Sequence, residues 1–228
     1  MWLVTALAAV VLPVIAARLP DVGHDPAGGW RQRLAPLADR RVLGVLTTTI
    51  VAFTRIYIPY TYLSAVYESA TGGQGGRLAG LLLVFGVAGT VGNLAAGHLT
   101  DRRGPRRVVI AGTLLLAAVL LLVPVLRDSY ATALLAVAAC GAFSFTVTTP
   151  QQHLIMSYAP AATQPMVASL NQSALYLAVS LSGAVGGIAL DVAGAALLPP
   201  LATALAVAAA GLTWWYGRTD SAVRPPAP

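Results

Sequence analysis

The feature that most constrains this chain is a series of long apolar runs separated by short polar segments. A membrane-spanning α-helix needs about 20 mostly apolar residues, and six runs are close to that length. Their approximate bounds are 42–67, 78–99, 108–126, 130–150, 165–190 and 193–216. A shorter apolar run, 1–17, precedes them. The pattern predicts an all-α integral membrane protein with about seven hydrophobic spans.

The composition agrees with lipid as the solvent of this chain. Of its 228 residues, 57% are hydrophobic and only 10% are charged, against roughly 25% charged in an ordinary soluble domain. A net charge of +6 could suggest nucleic acid as a partner. The arginines, however, lie in short segments between the apolar runs, where membrane topology explains them better.

The distribution of arginines predicts which side of the membrane each connection occupies. One set of alternate connections carries Arg18, Arg31, Arg33, Arg40, Arg41, Arg102, Arg103, Arg106, Arg107, Arg218 and Arg224. The other set carries only Arg77 and Arg127. Since cytoplasmic connections are enriched in arginine, the segments 18–41 and 100–107 and the C-terminus are expected in the cytoplasm, with lipid head groups as neighbours.

These observations divide the chain into four parts. We expect a truncated transmembrane span at 1–17, a cytoplasmic linker at 18–41, a six-span bundle at 42–217 and a disordered cytoplasmic tail at 218–228. The alternative for the first part is a signal peptide. A signal peptide carries positive charge before its apolar core, whereas here the charge begins after it, at Arg18, which favours the truncated span.

The polar segment between the second and third of the six runs has a distinctive order, Gly-His-Leu-Thr-Asp-Arg-Arg-Gly-Pro-Arg-Arg from Gly97. Gly97 would permit close helix approach, and Asp101 could accept hydrogen bonds at a helix N-terminus. Gly104 would permit a sharp turn. An ordinary positive-inside hairpin is the alternative. The predicted conformational loop motif consists of Gly97, Asp101, Arg102, Gly104, Arg106 and Arg107.

This segment resembles the cytoplasmic-loop signature of the major facilitator superfamily, in the copy that joins spans eight and nine. The family pattern has Gly, three residues, Asp-Arg, one residue, Gly and two basic residues. Here Pro105 stands at the first of those basic positions. The stretches 168–191 and 53–62 resemble spans eleven and seven of the drug and sugar efflux branch, so that the resemblance covers essentially the whole chain.

The resemblance implies a six-helix C-terminal bundle of such a transporter, preceded by the end of another span, with the N-terminal half as its missing partner. It implies a multi-pass permease of a bacterial inner (plasma) membrane. Its expected activity is secondary active transport of small molecules, as proton-coupled efflux. Substrate would bind near the midplane between two pseudo-symmetric bundles.

Arg55 lies near the middle of the first of the six runs, where a charge costs about 2.5–3.5 kcal/mol on insertion scales. The acids Glu68, Asp128 and Asp191 lie at the ends of runs. We therefore expect Arg55 to face the central cavity and to bind an anionic substrate group or an acid of the missing half. In the alternative, Arg55 packs against backbone carbonyl groups or reaches outward from an irregular helix.

Further cavity residues are expected on two helix faces. Tyr57 and Tyr60 fall on one side of the first run, and Gln172 and Tyr176 share a face of the fifth run. Glycines on the second and fifth runs are expected to serve helix packing instead. These are Gly86, Gly89, Gly92, Gly183 and Gly187.

No soluble-type enzyme signature occurs in the sequence. The three histidines have no metal-ligand spacing, and neither a Gly-x-Ser-x-Gly motif nor a phosphate loop is present. We expect no enzyme activity, metal, cofactor or nucleic-acid partner, and energy from an ion or substrate gradient. The alternative to a transporter is a non-transporting membrane scaffold or an inactive half-transporter. The lack of an acidic residue within the spans favours this alternative.

Overall fold

The computed structural model describes residues 34–221, with Ala9 and Pro13 as the only described positions before them. The chain divides into two units at residue 35, and all the helices below belong to the second. The predicted truncated span 1–17, most of the predicted linker 18–41, and residues 222–228 of the predicted tail lie outside the described residues.

Every regular element in the described part of the chain is helical. The α-helices are α1 (Arg40–Thr61), α2 (Leu63–Val66), α3 (Glu68–Thr71), α4 (Gly75–Arg103), α5 (Pro105–Leu126), α6 (Tyr130–Ser144), α7 (Thr148–Ser157), α8 (Gln164–Ala193) and α9 (Leu198–Ser221). Helix α9 continues through 218–221, residues predicted to begin the tail.

Six stretches of the described chain are long and apolar enough to cross a membrane. They correspond to α1, α4, α5, the pair α6 and α7, α8, and α9 with the turn before it. Large apolar side chains cover their outer surfaces: Leu94 is 71% exposed and Val125 is 78% exposed. The prediction of an all-α membrane bundle with six spans in this region is therefore confirmed.

Two of the predicted spans are interrupted, each beside a proline. Pro59 has no N–H group and its ring crowds the preceding turn, and α1 ends soon after it, at Thr61. The chain then continues through α2 and α3 to Gly72, whose positive φ of 57° ends α3. In the fourth span, the 3₁₀ turn Phe145–Val147 separates α6 from α7, just ahead of Pro150.

The helices of the bundle pack in a series in which α1 contacts both α8 and α9. Helix α9 also packs on α5, α5 on α6, and α6 on α4. Helices α4 and α8 are therefore the two ends of this series, and both keep much of their surface exposed. This arrangement leaves an open face on which residues of α1, α4 and α8 can meet.

Tyr62 joins α1 to α8. Its hydroxyl donates to the carbonyl oxygen of Gly183 at 2.7 Å, and its ring lies so close to Gly186 that a Cβ atom there would be 2.5 Å from a ring carbon. A Cβ atom at Gly187 would be 3.1 Å from the hydroxyl, whereas one at Gly183 would meet nothing within 4 Å. The close contact on α8 therefore centres on Gly186, which the sequence analysis did not single out.

Glycines also bring α4 close to α6. A Cβ atom at Gly92 would collide with the backbone carbonyl of Ala142, and one at Gly89 would lie 2.6 Å from the Phe145 ring. Gly86, by contrast, has open space around it. The expected packing role thus agrees with the structure at Gly89 and Gly92, and not at Gly86.

Candidate functional site

The most prominent feature of the open face is a cavity of about 350 Å³ between α1 and α4. Aromatic side chains form its wall. The ring centroids of Tyr57 and Tyr60 are 6.0 Å apart, those of Tyr60 and Phe85 are 5.0 Å apart, and those of Phe85 and Phe145 are 5.9 Å apart. The 3₁₀ turn between α6 and α7 supplies Phe145, so that the helix interruption contributes directly to the cavity.

The polar groups of this cavity come from α4. The hydroxyl of Thr90 donates to the carbonyl oxygen of Gly86 at 2.9 Å, and the side-chain oxygen of Asn93 accepts from the hydroxyl of Thr149 at 3.1 Å. The amide N–H groups of Asn93 therefore remain as donors for a ligand. The described lining of this cavity contains no charged side chain.

Helix α8, which packs on α1, carries the two other predicted cavity residues. Tyr176 is 64% exposed, and Gln172 lies one turn earlier on α8 and is also exposed. The structure thus brings Tyr57 and Tyr60 together in the cavity, and it places Tyr176 and Gln172 on the exposed side of the helix beside α1.

Arg55 lies elsewhere. Its side chain is completely buried inside the bundle, and its Nη2 atom donates to Oγ1 of Thr113 on α5 at 3.1 Å. Its Nε and Nη1 atoms have no hydrogen-bond partner in the described part of the chain. The structure therefore places Arg55 inside the bundle and away from the open face where we expected it. This position agrees better with the alternative, in which Arg55 packs internally, although its hydrogen-bond partner is a hydroxyl group and not a backbone carbonyl group.

Arg55 borders a second, closed space of about 20 Å³, lined also by Cys140 and Ser144, which is enough for about one water molecule. Tyr67 lines it as well and is 2% exposed. This space lies in the helix core and adjoins the aromatic cavity, because Ile56, Tyr60 and Phe85 line both.

The arginine-rich loop is a single-residue connection. Helix α4 ends at Arg103, and Pro105 is the first residue of α5. Gly104 between them has φ of 81° and ψ of 150°, a conformation accessible almost only to glycine. Its N–H group donates to the carbonyl oxygen of Thr100 at 2.9 Å.

Two expectations for this loop differ from the structure. The N-cap residue of α5 is Gly104, which has no side chain to cap the helix, and Asp101 is exposed in the last turn of α4. A Cβ atom at Gly97 would be 4.0 Å from Thr149, an ordinary contact, so that glycine is not required there. Arg102 and Arg107 are exposed and Arg106 is half-buried.

A general model of the Major Facilitator Superfamily matches residues 1–183 and, in a second alignment, residues 44–227. Each alignment covers well over half of the chain. This chain belongs to the major facilitator superfamily. The expected membership of this superfamily, which the sequence analysis based on the Gly97–Arg107 segment, is thereby confirmed.

Individual members of the superfamily give a consistent result. The chain is 30% identical over 196 residues to the inner membrane transport protein YdhP of Escherichia coli (strain K12), covering 82% of this chain and 49% of YdhP. It is 28% identical over 185 residues to the uncharacterized MFS-type transporter YbcL of Bacillus subtilis (strain 168), covering 81% of this chain and 47% of YbcL. The chain spans about half the length of the curated relatives it matches.

The aromatic cavity contains residues that the sequence analysis missed, namely Phe85, Asn93 and Phe145. Asn93 could have been found, because a polar amide inside an apolar run is a functional candidate in any membrane protein of this kind. The two phenylalanines could not, because an apolar ring in a membrane span is equally compatible with the core, with lipid or with a cavity.

Proposed function

We propose that this chain forms one helix bundle of a secondary transporter. We also propose that the aromatic cavity between α1 and α4 is the part of the substrate passage that this bundle contributes. The observation that carries this proposal is the cavity itself, built from Tyr57, Tyr60, Phe85 and Phe145 on a face that the bundle leaves open. Transporters of this kind bind substrate between two bundles. A second bundle, corresponding to the missing N-terminal half, would close the passage.

The cavity chemistry favours one class of substrate. Aromatic faces bind flat apolar molecules and cations, and the described lining offers no guanidinium or carboxylate group. We therefore propose an amphipathic aromatic compound, neutral or cationic, with the Asn93 amide as a hydrogen-bond donor. Tyr176 and Gln172 on α8 would contact the substrate from the opposite side of α1. Arg55 would not, since it is buried in the bundle.

We propose proton-coupled efflux as the direction and the energy source. The acids whose side chains the structure describes lie at helix ends and are exposed; they are Asp39, Glu68, Asp101, Asp128 and Asp191. The proton-carrying group would then belong to the second bundle. The same observation favours a second candidate function, a membrane scaffold or inactive half-transporter that binds ligand without moving it.

The arginine-rich ends of the helices support a topology. We propose a bacterial inner membrane location, with the loop around Gly104 and the end of α9 in the cytoplasm. Residues 1–17 would be the end of a preceding span, 18–41 the linker, 42–217 the bundle and 218–228 the tail. The rigid turn at Gly104 would transmit motion between α4 and α5, with Asp101, Arg102, Arg106 and Arg107 contacting the second bundle or the lipid head groups.

The first test measures binding. The purified 228-residue chain in neutral detergent is titrated with ethidium, a flat aromatic cation, and its fluorescence is recorded. Tyr60→Ala removes a ring at the centre of the wall and is expected to weaken binding about tenfold, because one aromatic contact with a cation is worth about 1–2 kcal/mol. The control Leu122→Ala, on a side chain 55% exposed on α5, should bind as the unaltered chain does. Equal weakening by both variants would reject the proposed site.

The second test measures transport. Inverted membrane vesicles that contain this chain together with the proposed N-terminal bundle are energised with ATP to acidify their interior, and ethidium uptake is followed with and without an uncoupler. Uptake that the uncoupler abolishes would support proton-coupled efflux. Binding without uptake would favour the non-transporting alternative.

A further inference from the structure

The guanidinium group of Arg55 is a charge inside the helix core whose hydrogen-bonding capacity is only partly used. The side chain is 0% exposed, and its Nη2 atom donates to Oγ1 of Thr113 at 3.1 Å. The Nε and Nη1 atoms have no hydrogen-bond partner in the described part of the chain. A guanidinium group has five N–H donors and stays protonated in proteins. The donors on Nε and Nη1 can therefore bind a ligand.

The described residues provide no carboxylate beside Arg55. The acids whose side chains the structure describes are exposed and lie at helix ends, and the described lining of the small space next to Arg55 contains none of them. A buried ion in a folded protein is normally paired, because an unpaired charge is costly in a medium of low dielectric constant. The burial of Arg55 therefore favours an anion as its partner.

The small space next to Arg55 also has neutral hydrogen-bond donors in its lining. Its volume is about 20 Å³, and Ser144 on α6 and Tyr67 line it together with apolar side chains of α1, α5 and α6. Ser144 and Tyr67 are each 2% exposed. A hydroxyl group can rotate to donate a hydrogen bond to an anion. The site therefore combines one cation with neutral donors in apolar surroundings.

The size of the space restricts the kind of ligand. A space of about 20 Å³ holds about one water molecule, so it admits a monatomic ion and excludes a carboxylate or phosphate compound. A side chain from another bundle could not reach Arg55, because Arg55 is 0% exposed. A water molecule would accept hydrogen bonds but would not balance the charge. A monatomic anion does both.

We propose that a halide ion, chloride in the cell, binds beside the guanidinium group of Arg55, with Ser144 as a second hydrogen-bond donor. The small space adjoins the aromatic cavity, because Ile56, Tyr60 and Phe85 line both. An ion can therefore approach from the open face by passing between these side chains. The binding does not depend on whether the chain transports a substrate.

The first test measures thermal unfolding of the 228-residue chain in neutral detergent. Sodium chloride is compared with sodium gluconate at the same ionic strength, since gluconate is too large for the space. Because a ligand that binds only the folded state raises its stability, we expect Tm to be about 3–5 °C higher in chloride. Sodium bromide should give a similar rise, and sodium acetate should give none.

Two variants that each lose one arginine decide whether this rise comes from the proposed site. Arg55→Met removes the cation of the site, and its Tm should be the same in chloride as in gluconate. The matched control Arg103→Met removes an exposed arginine in the last turn of α4, outside the lining of the space, and should keep the full rise. Each variant is compared with itself in the two salts, so that a change in its basal stability does not affect the result.

A second measurement detects chloride directly, by the broadening of its NMR signal when it exchanges with the purified chain. Bromide should reverse the broadening by competition, and gluconate should not. Ser144→Ala keeps the cation and removes one hydrogen bond to the anion, so it should weaken chloride binding about tenfold.

Several results would overturn the proposal. They are an equal Tm of the unaltered chain in chloride and gluconate, a full rise in Arg55→Met, and a loss of the rise in Arg103→Met. The first of these results would mean that water, and not an anion, is the ligand of Arg55. Should Arg55→Met fail to fold, Ser144→Ala replaces it, and the proposal then stands only if Ser144→Ala reduces both the rise in Tm and the broadening.

Discussion

The Nη2 atom of Arg55 on α1 donates a hydrogen bond to Oγ1 of Thr113 on α5 at 3.1 Å. Both side chains are fully buried. Two of the three guanidinium nitrogens have no partner in the described part of the chain. The hydrogen bond to Thr113 is therefore the main polar contact that offsets the cost of burying this charge. The stability of the bundle should therefore respond unequally to changes at the two positions.

Thr113→Val removes the partner and leaves the charge in place. We expect it to destabilise the bundle by about 1–3 kcal/mol, the usual cost of leaving a buried hydrogen-bonding group unsatisfied. Arg55→Met removes the charge and keeps an apolar side chain, so it should be neutral or stabilising. Thermal unfolding in detergent measures both.

Thr90→Val serves as the control for Thr113→Val. The hydroxyl of Thr90 is exposed and donates to a carbonyl of its own helix, so its loss should change stability by less than about 0.5 kcal/mol. If Arg55→Met proved more destabilising than Thr113→Val, the guanidinium group would have stabilising partners other than Thr113.

The close packing of α4 on α6 predicts a difference between two glycines of one helix. At Gly92, a new Cβ atom would meet the rigid backbone carbonyl of Ala142. We expect Gly92→Ala to destabilise by about 1–3 kcal/mol, as overpacking does. Gly86→Ala meets open space and should be neutral or stabilise by up to about 1 kcal/mol, since alanine favours helix. Comparable losses of Tm in both variants would contradict the observed α4–α6 contact.

The turn between α4 and α5 predicts a second contrast. Gly104→Ala places a side chain where φ is 81°, and the backbone strain should cost about 1–3 kcal/mol. Gly97→Ala should change stability by less than about 0.5 kcal/mol, because its Cβ atom would only touch Thr149. The unfolding midpoints of the two variants measure this difference in stability. If Gly97→Ala lowered the midpoint more than Gly104→Ala, α4 and α7 would lie closer together than the structure shows.

The proposed orientation can be tested with single cysteines. In a Cys140→Ala background, Arg103→Cys and Ser129→Cys place exposed thiols on the two sides predicted by the arginine distribution. A membrane-impermeant maleimide should label Ser129→Cys in spheroplasts, and Arg103→Cys only after the membrane is permeabilised. The reverse pattern would invert the topology, and labelling of both positions in sealed spheroplasts would refute the span assignment between them.

Much of this fold could be predicted because membrane insertion depends on summed apolar length. The six spans followed from run length, and helical spacing predicted that Tyr57 and Tyr60 lie on one side of α1. The interruptions of the helices were harder to predict. Pro59 and Pro150 indicate that their helices are irregular, but they do not indicate at which residue α1 ends or the 3₁₀ turn begins. Phe145 reaches the cavity only because of that turn.

The amino-acid sequence by itself determined that this chain consists of lipid-embedded helices and that it belongs to the superfamily, because apolar length and the loop motif are local properties. Only the tertiary structure decided that Arg55 points into the bundle while Tyr60 points out, and that Tyr62 packs against Gly186 of α8 and not against Gly183. The reason is physical. Which face of a helix lies inside the bundle depends on the helices packed against it, and in a membrane protein both faces are apolar enough to lie either inside the bundle or against lipid.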